Sequence, residues 1–315
     1  MNEERFSFSI LTYRNFDGIY ETLDSLFMQD YRDIELIISD DGSEEYEKEI
    51  VSIKEYISKN KSSNVSNVVF THLECNKGTV ENLNNAIKIS SGRYFKTLGC
   101  GDSFAEVDAL SRYAEVLRKE DTKLVFSKLI GITKNGEKVK YLASCEDNYD
   151  LLREMTPKEL ENRLYIRNCL PAPAWAARKD LFEEFGLFPN TARLIEDYPY
   201  WIFLCQNGQL FTFIDDILVK YKLDGVSSTG KYSKTFMDDM FKIYEKHIFP
   251  YDKRYGLFQP IYNYLKRQGL RAYLALAEWD DYSVREKIFQ KIKYLPFFIY
   301  IDIGERLITK RNRNV

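Results

Sequence analysis

Residues 34–39 read Ile-Glu-Leu-Ile-Ile-Ser and stop at Asp40-Asp41-Gly42-Ser43. A short, nearly unbroken apolar run of this kind suits a strand covered on both faces, which requires helices above and below it. The neighbouring chain supplies them. Phe6–Leu11 (FSFSIL) reads as a first strand, and Phe16–Met28 carries Ile19, Leu23, Leu26 and Phe27 at helical spacing. A helix is then predicted over about Glu44–Ser58, a strand over Asn67–Leu73, and a helix over Thr79–Ser90 that stops at Ser91-Gly92. Strand Tyr94–Leu98, helix Glu106–Lys119 and strand Lys123–Thr133 continue the series. This alternation predicts an α/β fold with a mostly parallel, doubly wound, Rossmann-like sheet.

Past that point the pattern loosens. Glu146–Asn168 is polar and helical, as a lid or crossover would be, and a second strand–helix stretch runs over Leu170–Leu223. Beyond about residue 230 the spacing is mainly helical, which divides the chain into a domain over 1–228 and a C-terminal helical region over 229–315. Composition then removes whole classes. With 45 Lys+Arg against 48 Asp+Glu, global charge gives no drive toward nucleic acid. Two histidines exclude a His-rich metal site, and five scattered cysteines without a CxxC pair argue against a disulfide framework or structural zinc. The start, MNEERFSFSIL, lacks the basic opening and apolar stretch of a secretory signal. Tyr294–Ile301 contains a proline and falls far short of the ~20 residues that span a bilayer. A cytoplasmic location is therefore expected.

Ligands of doubly wound sheets bind beyond the carboxyl ends of the strands. The segments to interrogate are Thr12–Asn15, Asp40–Ser43, Glu74–Gly78 and Gly99–Ser103. Asp40 and Asp41 put two carboxylates at one strand tip, with Gly42 allowing the turn; they suit a base, a ribose or a metal, while a helix cap is the plainer use. In SSGRYFKTLGCGDSF, Asp102 is the acid of a glycine-rich turn, fit either to hold a cation beside phosphate oxygens or to brace the turn. In ARLIEDYPYWIFL, Glu196 and Asp197 precede an aromatic helix. The helix dipole explains acids there; a carboxyl tucked against rings would also gain a proton affinity useful to a general base.

In this order and at these separations, FSILTYRNF, IISDDGSEE, NKGTVENLNNAIKISSGRYFKTLGCGDSF and LIEDYPYWIFL resemble the inverting family-2 glycosyltransferases of GT-A fold, over about residues 5–225. The resemblance implies transfer of a sugar from a nucleoside-diphosphate donor, UDP above all, to a hydroxyl of a saccharide or lipid-linked saccharide, in the setting of bacterial surface-polysaccharide synthesis. Tyr13 resembles the aromatic that stacks on the nucleobase, flanked by Thr12 and Asn15. Asp41 resembles the acid that binds the base, supported by Asp40, and Lys77 and Gly78 the loop beside the nucleotide. Asp102, next to Gly101, resembles the surviving acid of a DxD motif that holds Mn²⁺ or Mg²⁺. Asp197, preceded by Glu196, resembles the catalytic base, and Ser227 and Ser228 fall where a loop closes over the diphosphate. Trp175, Tyr198, Tyr200 and Trp201 are candidates for stacking on the acceptor sugar or for the core. The chain departs from the family in GCGD, where two or three acids are usual, and in Leu11, where Pro is usual.

Other classes fit less well. A sugar-1-phosphate nucleotidyltransferase wants a Gly/Arg-rich loop where TYRNF stands, and no GxGxxG follows any strand as a dinucleotide oxidoreductase requires. A non-catalytic nucleotide-sugar-binding relative is kept alive by Gly99 and Gly101. Residues 285–315 carry eight basic side chains against three acids. With their interspersed apolar residues they suit an interfacial helix at the inner face of the plasma membrane, a core helix with a solvated tail, or a homodimer contact.

Overall fold

The computed structural model of the chain describes residues 4–133, 135–139, 149–223, 233–277 and 283–295. Its first half alternates β1 (Phe6–Thr12), α1 (Ile19–Phe27), β2 (Ile34–Asp40), α2 (Tyr46–Asn60), β3 (Val65–His72), α3 (Thr79–Ile89) and β4 (Tyr94–Gly99). A two-residue β5 (Ser103–Phe104), α4 (Ala109–Leu117), β6 (Leu124–Ile132), the short β7 (Lys138–Val139), α5 (Tyr149–Glu154) and α6 (Pro157–Leu164) follow. The series ends in β8 (Trp175–Arg178), α7 (Asp180–Phe185), α8 (Asp197–Gln206), β9 (Thr212–Lys222), α9 (Lys234–Ile243) and α10 (Gln259–Ala277).

The strand order is β3-β2-β1-β4-β8-β6-β9-β5, with β7 paired to β6. From β3 to β4 every pairing is parallel, in line with the expected doubly wound sheet. Beyond β4 the sheet is mixed: β8 runs antiparallel to both β4 and β6, β6 and β9 are parallel, and β5 is antiparallel to β9. β8 is thus inserted between two strands laid down earlier in the chain.

β1 shows how the local sequence builds this. Phe6, Phe8 and Ile10 point to one face, where they are fully buried with Leu23, Leu26 and Tyr31; each such side chain stabilises the fold by about 1.5–3 kcal/mol. Ser7 and Ser9 point to the other face, and burial there is tolerable because both hydroxyls are paired, Ser7 Oγ donating to Glu35 (2.6 Å) and Ser9 Oγ to Thr97 Oγ1 (2.8 Å). Around α8 the core is aromatic. Trp175, Tyr198, Tyr200 and Trp201 are all at most 1% exposed; Trp175, Tyr200 and Trp201 pack with Phe126, Phe182 and Phe188, and the Tyr198 hydroxyl donates to Leu164 O (2.6 Å). Of the two uses open to these rings in the sequence, acceptor stacking or core, their burial shows the core.

The chain divides into two units, 1–225 and 226–315. The expected boundary at 228, and Ser227 and Ser228, lie outside the described residues. In the second unit α9 packs on α10, Arg267 of α10 pairs with Glu245, and Tyr294 of the helical stretch 284–295 joins Ala272 and Ala275 in a small core. Residues 296–315, most of the basic tail, also lie outside the description. Among the described residues no helix is long and apolar enough to cross a membrane.

Candidate active site

The parallel register aligns Thr12 with Asp40 and Leu11 with Gly99, so the tips of β1, β2 and β4 lie side by side. Two backbone bonds lock them: Asp41 N–H donates to Thr12 O (3.0 Å) and Cys100 N–H to Leu11 O (3.2 Å). Asn15 Nδ2 reaches Cys100 O at 3.4 Å, tying the loop after β1 to the glycine-rich turn.

Asp40 is fully buried and acts as the hub of the tip. It accepts from Thr12 Oγ1 (3.0 Å), Ser43 N–H (2.8 Å) and Ser43 Oγ (2.6 Å), and pairs with His72 Nδ1 (2.8 Å). The Tyr46 ring stacks on His72 with 4.2 Å between centroids. Asp41 reaches across instead. Its two carboxylate oxygens accept from the backbone N–H of Lys77 (2.7 Å) and Gly78 (2.8 Å), which clamps the loop before α3 against β2. Burial pushes its pKa up, opposed by those two N–H groups and by Arg193. Tyr13 lies 40% exposed beside this tip with the Arg14 guanidinium 5.3 Å from its ring centroid. Arg14 has φ +55°, a left-handed backbone that costs a non-glycine residue about 1–2 kcal/mol. Its N–H donates to Ser43 Oγ (2.8 Å), which offsets part of that cost.

The Gly78 loop is also the bridge to the distant acids. Gly78 has φ +98°, and a β-carbon there would stand 2.3 Å from Arg193 Cγ and 2.5 Å from Arg193 O. The Arg193 guanidinium donates to Asn76 O (2.9 Å), and Val80 N–H donates to Arg193 O (3.3 Å). Arg193 stands four residues before Asp197. Contact by contact, then, Asp41 holds Gly78, Gly78 abuts Arg193, and Arg193 leads into Glu196-Asp197 at the start of α8.

Asp197 is 5% exposed. It accepts from Asn168 Nδ2 (2.8 Å) and from the N–H of Tyr198 (2.7 Å). Burial raises the pKa of Asp197 well above the ordinary 3.8, and the Asn168 amide and the Tyr198 N–H oppose the rise. The Trp201 indole N–H makes no hydrogen bond. Glu196 is raised too, by burial and by the charge of Asp197. Two adjacent carboxyls in such surroundings do not both ionise readily. Asp197, with two donors aimed at it, is the one that keeps the charge.

At the tip of β4, Asp102 is 6% exposed and its Oδ1 accepts from Lys222 N–H (2.9 Å). Its backbone is held by Thr22, whose Oγ1 donates to Asp102 O (2.6 Å) and accepts from Gly101 N–H (3.0 Å). Below the turn, buried Lys96 donates to Pro173 O (2.7 Å) and Trp175 O (3.1 Å); burial pulls its pKa down to about 7, against the pull of Asp102. Trp175 in turn packs on Trp201 of α8, 6.0 Å between centroids. Among the described residues, no three His, Cys, Asp or Glu side chains gather in a way that suits a metal ion.

The structure thus joins Thr12, Asn15, Asp40, Asp41, Lys77, Gly78, Gly101 and Asp102 along the strand tips and links Glu196 and Asp197 to them through Arg193. Three participants have no place among the sequence-based candidates: Asn168, Arg193 and Lys222; Arg14 falls within the Thr12–Asn15 segment without a role assigned to it. Arg193 lies inside the ARLIEDYPYW segment, but only the Gly78 contact shows its use. Asn168 carries no local signal at all, and Lys222 reaches the glycine-rich turn through a strand pairing 120 residues away in sequence.

Comparison with known proteins agrees with the fold. The family described as Glycosyl transferase family 2 matches residues 7–186. An uncharacterized glycosyltransferase of Methanocaldococcus jannaschii is 24% identical over 208 residues, 64% of this chain and 65% of the relative. A PGL/p-HBAD biosynthesis glycosyltransferase of Mycobacterium bovis is 25% identical over 218 residues, 68% of this chain and 75% of the relative. The fold is similar to S. aureus TarS 1–349 in complex with UDP-GlcNAc, with TM-score 0.58, 17% identity, and coverage of 93% of this chain and 79% of that one. It is also similar to the mannosyltransferase PcManGT of Pyrobaculum calidifontis in complex with GDP-Man and Mn²⁺, with TM-score 0.57, 17% identity, and coverage of 100% and 83%.

Proposed function

The chain belongs to glycosyl transferase family 2, and from that premise we propose that it moves a sugar from a nucleoside-diphosphate donor, a UDP-sugar first, to a hydroxyl of a saccharide or lipid-linked saccharide with inversion. The observation that carries this reading is the Gly78–Arg193 contact, which ties the Asp41 loop to the segment delivering Asp197. The donor complexes of the structural neighbours, UDP-GlcNAc and GDP-Man, support the donor class.

In this reading the nucleobase lies on the exposed Tyr13 ring, and Asp41 keeps the Lys77–Gly78 loop in place against it. Asp197 accepts the proton of the acceptor hydroxyl as its oxygen bonds the anomeric carbon from the far face. The bond from that carbon to the diphosphate oxygen breaks, and the nucleoside diphosphate leaves with the electron pair. A single displacement needs no protein nucleophile and inverts the centre. The raised proton affinity of Asp197 suits it to this task at neutral pH. Asn168 and Tyr198 N–H hold the carboxylate in position, and protonated Glu196 avoids a second charge beside it.

The divalent cation expected at Asp102 fits poorly. Mn²⁺ or Mg²⁺ takes several oxygen ligands, whereas this turn offers one carboxylate, one of whose oxygens accepts a backbone N–H, with glycines at 99 and 101. No step above is routed through a metal.

The lipid-linked acceptor and a cytoplasmic site at the membrane surface rest on the second unit, where Val284, Ile288, Phe289, Ile292 and Leu295 are exposed at helical spacing among Lys287 and Lys291. Flotation with anionic liposomes tests this contact, which predicts loss of binding on removal of residues 285–315.

A donor screen by release of nucleoside diphosphate, with NMR of the product's anomeric configuration, tests the whole reading. Turnover of one donor class with inversion is expected. UDP binding without turnover of any donor would instead favour a non-catalytic nucleotide-sugar-binding protein.

A further inference from the structure

The antiparallel register sets Ser103 opposite Lys220 and Phe104 opposite Val219. Continued by two residues, it brings Lys222 to Gly101, and the side chain follows the backbone. A β-carbon built on Gly101 would lie 3.1 Å from Lys222 Cδ and 3.5 Å from its Nζ. Gly101 also has φ +103°, a conformation L side chains rarely adopt. The backbone therefore disfavours an acidic side chain at this position, and the end of the Lys222 side chain lies where one would project.

We propose that the ammonium of Lys222, lying over Gly101 at the tip of β4, is the cation that neutralises the departing nucleoside diphosphate, in place of a divalent metal. This rests on the glycosyl-transfer reading and adds to it a residue that contacts the leaving group.

The charge balance supports the exchange. A divalent ion held by two carboxylates and an ammonium beside one carboxylate both leave a strand tip near neutral before the diphosphate arrives. Here Asp102 is that single carboxylate. It receives the Lys222 N–H at 2.9 Å, so the same residue anchors its backbone to Asp102 and lays its side chain over the turn. The Cys100 thiol lies in the field of the Lys222 ammonium, and Asp102 and Asp17 act on that same thiol with the opposite sign. A lysine is a point charge well suited to phosphate oxygens, and a fixed one needs little reorganisation as negative charge builds on the leaving oxygen. Glycine at 99 and 101 lets the diphosphate approach the turn's backbone closely.

The experiment uses the full chain, a donor found by nucleoside-diphosphate release, and UDP as the binding probe. In EDTA, turnover of the parent is expected to stay within about two-fold of that with Mn²⁺. Lys222→Met is expected to lower kcat/KM by ~100-fold or more and to weaken UDP binding, with Mn²⁺ giving no rescue; Lys222→Arg keeps a larger share of the rate. Loss of parent activity in EDTA with recovery in Mn²⁺ overturns the proposal and leaves sugar transfer standing, as does wild-type turnover by a folded Lys222→Met. Absence of both UDP binding and turnover under every condition overturns the two together. If Lys222→Met does not fold, as judged by circular dichroism, the EDTA comparison on the parent decides alone.

Discussion

Substitution of Gly78 by alanine probes the contact that joins the two halves of the site. Two costs add. The backbone, at φ +98° and ψ 166°, lies in a region held almost only by glycine, worth about 1–3 kcal/mol. The new methyl would stand 2.3 Å from Arg193 Cγ and 2.5 Å from Arg193 O. The first can rotate away, but the second is main chain and forces the 191–195 segment outward, for about 1–3 kcal/mol more. The sum is about 2–6 kcal/mol, a large part of a typical domain's stability. Gly208→Ala is the control, since it has φ +77° but nothing within 4 Å of its β-carbon and bears only a backbone cost. Urea unfolding of both variants separates the terms: Gly78→Ala is expected to be less stable than Gly208→Ala by about 1–3 kcal/mol. It should also weaken UDP binding, which Gly208→Ala leaves alone. Equal stability and equal UDP affinity of the two would refute the argument that Arg193 lies against the Asp41-bound loop.

Three further outcomes follow from the same geometry. Asp197→Asn is expected to cut kcat by ~10²–10⁴-fold while UDP affinity, measured by calorimetry, stays nearly intact; near-normal turnover removes Asp197 as base. Because burial raises the pKa of Asp197 above 3.8, and the base must be ionised, kcat/KM should fall as pH is lowered with a midpoint above that value; a pH–rate profile flat down to pH 3.8 contradicts this. Glu35 is buried, which alone would raise its pKa, but donors from Ser7, Ser91 and Asn67 outweigh burial and hold it low. Its contribution is therefore present above the ordinary value of 4.5 and lost as pH falls through the lowered folded value. Glu35→Gln should cost about 1–3 kcal/mol in urea unfolding at neutral pH, with the difference from the parent shrinking in acid.

The parallel half of the sheet is legible because its determinants are local. Ile34–Ser39 is a nearly unbroken apolar run, and Ile19, Leu23 and Leu26 recur at helical spacing beside it. β8 is different. Trp175–Arg178 is four residues long and its place between β4 and β6 is set by strands distant in sequence, so nothing within WAAR announces an antiparallel strand. The same divide runs through the site. Asp40, Asp41 and Asp102 are visible as acids at strand tips, since topology alone places them there. Their division of labour is not, because Asp40 as hub and Asp41 as clamp depend on hydrogen bonds to His72, Lys77 and Gly78. The aromatic helix leaves a choice open: the rings of DYPYWIFL suit a sugar platform or the core, and their burial decides for the core. Lys222 is invisible in sequence because its partner turn lies across a strand pairing that no local pattern encodes.

The most direct test of the account is a crystal structure of the chain with an unreacted nucleoside-diphosphate sugar. The base is expected on Tyr13 beside the Asp41-clamped loop, the diphosphate over Gly101 within reach of Lys222 Nζ, and the anomeric carbon facing Asp197 with room for one hydroxyl between them. A donor seated elsewhere on the chain, or one whose anomeric carbon turns away from Asp197, contradicts it.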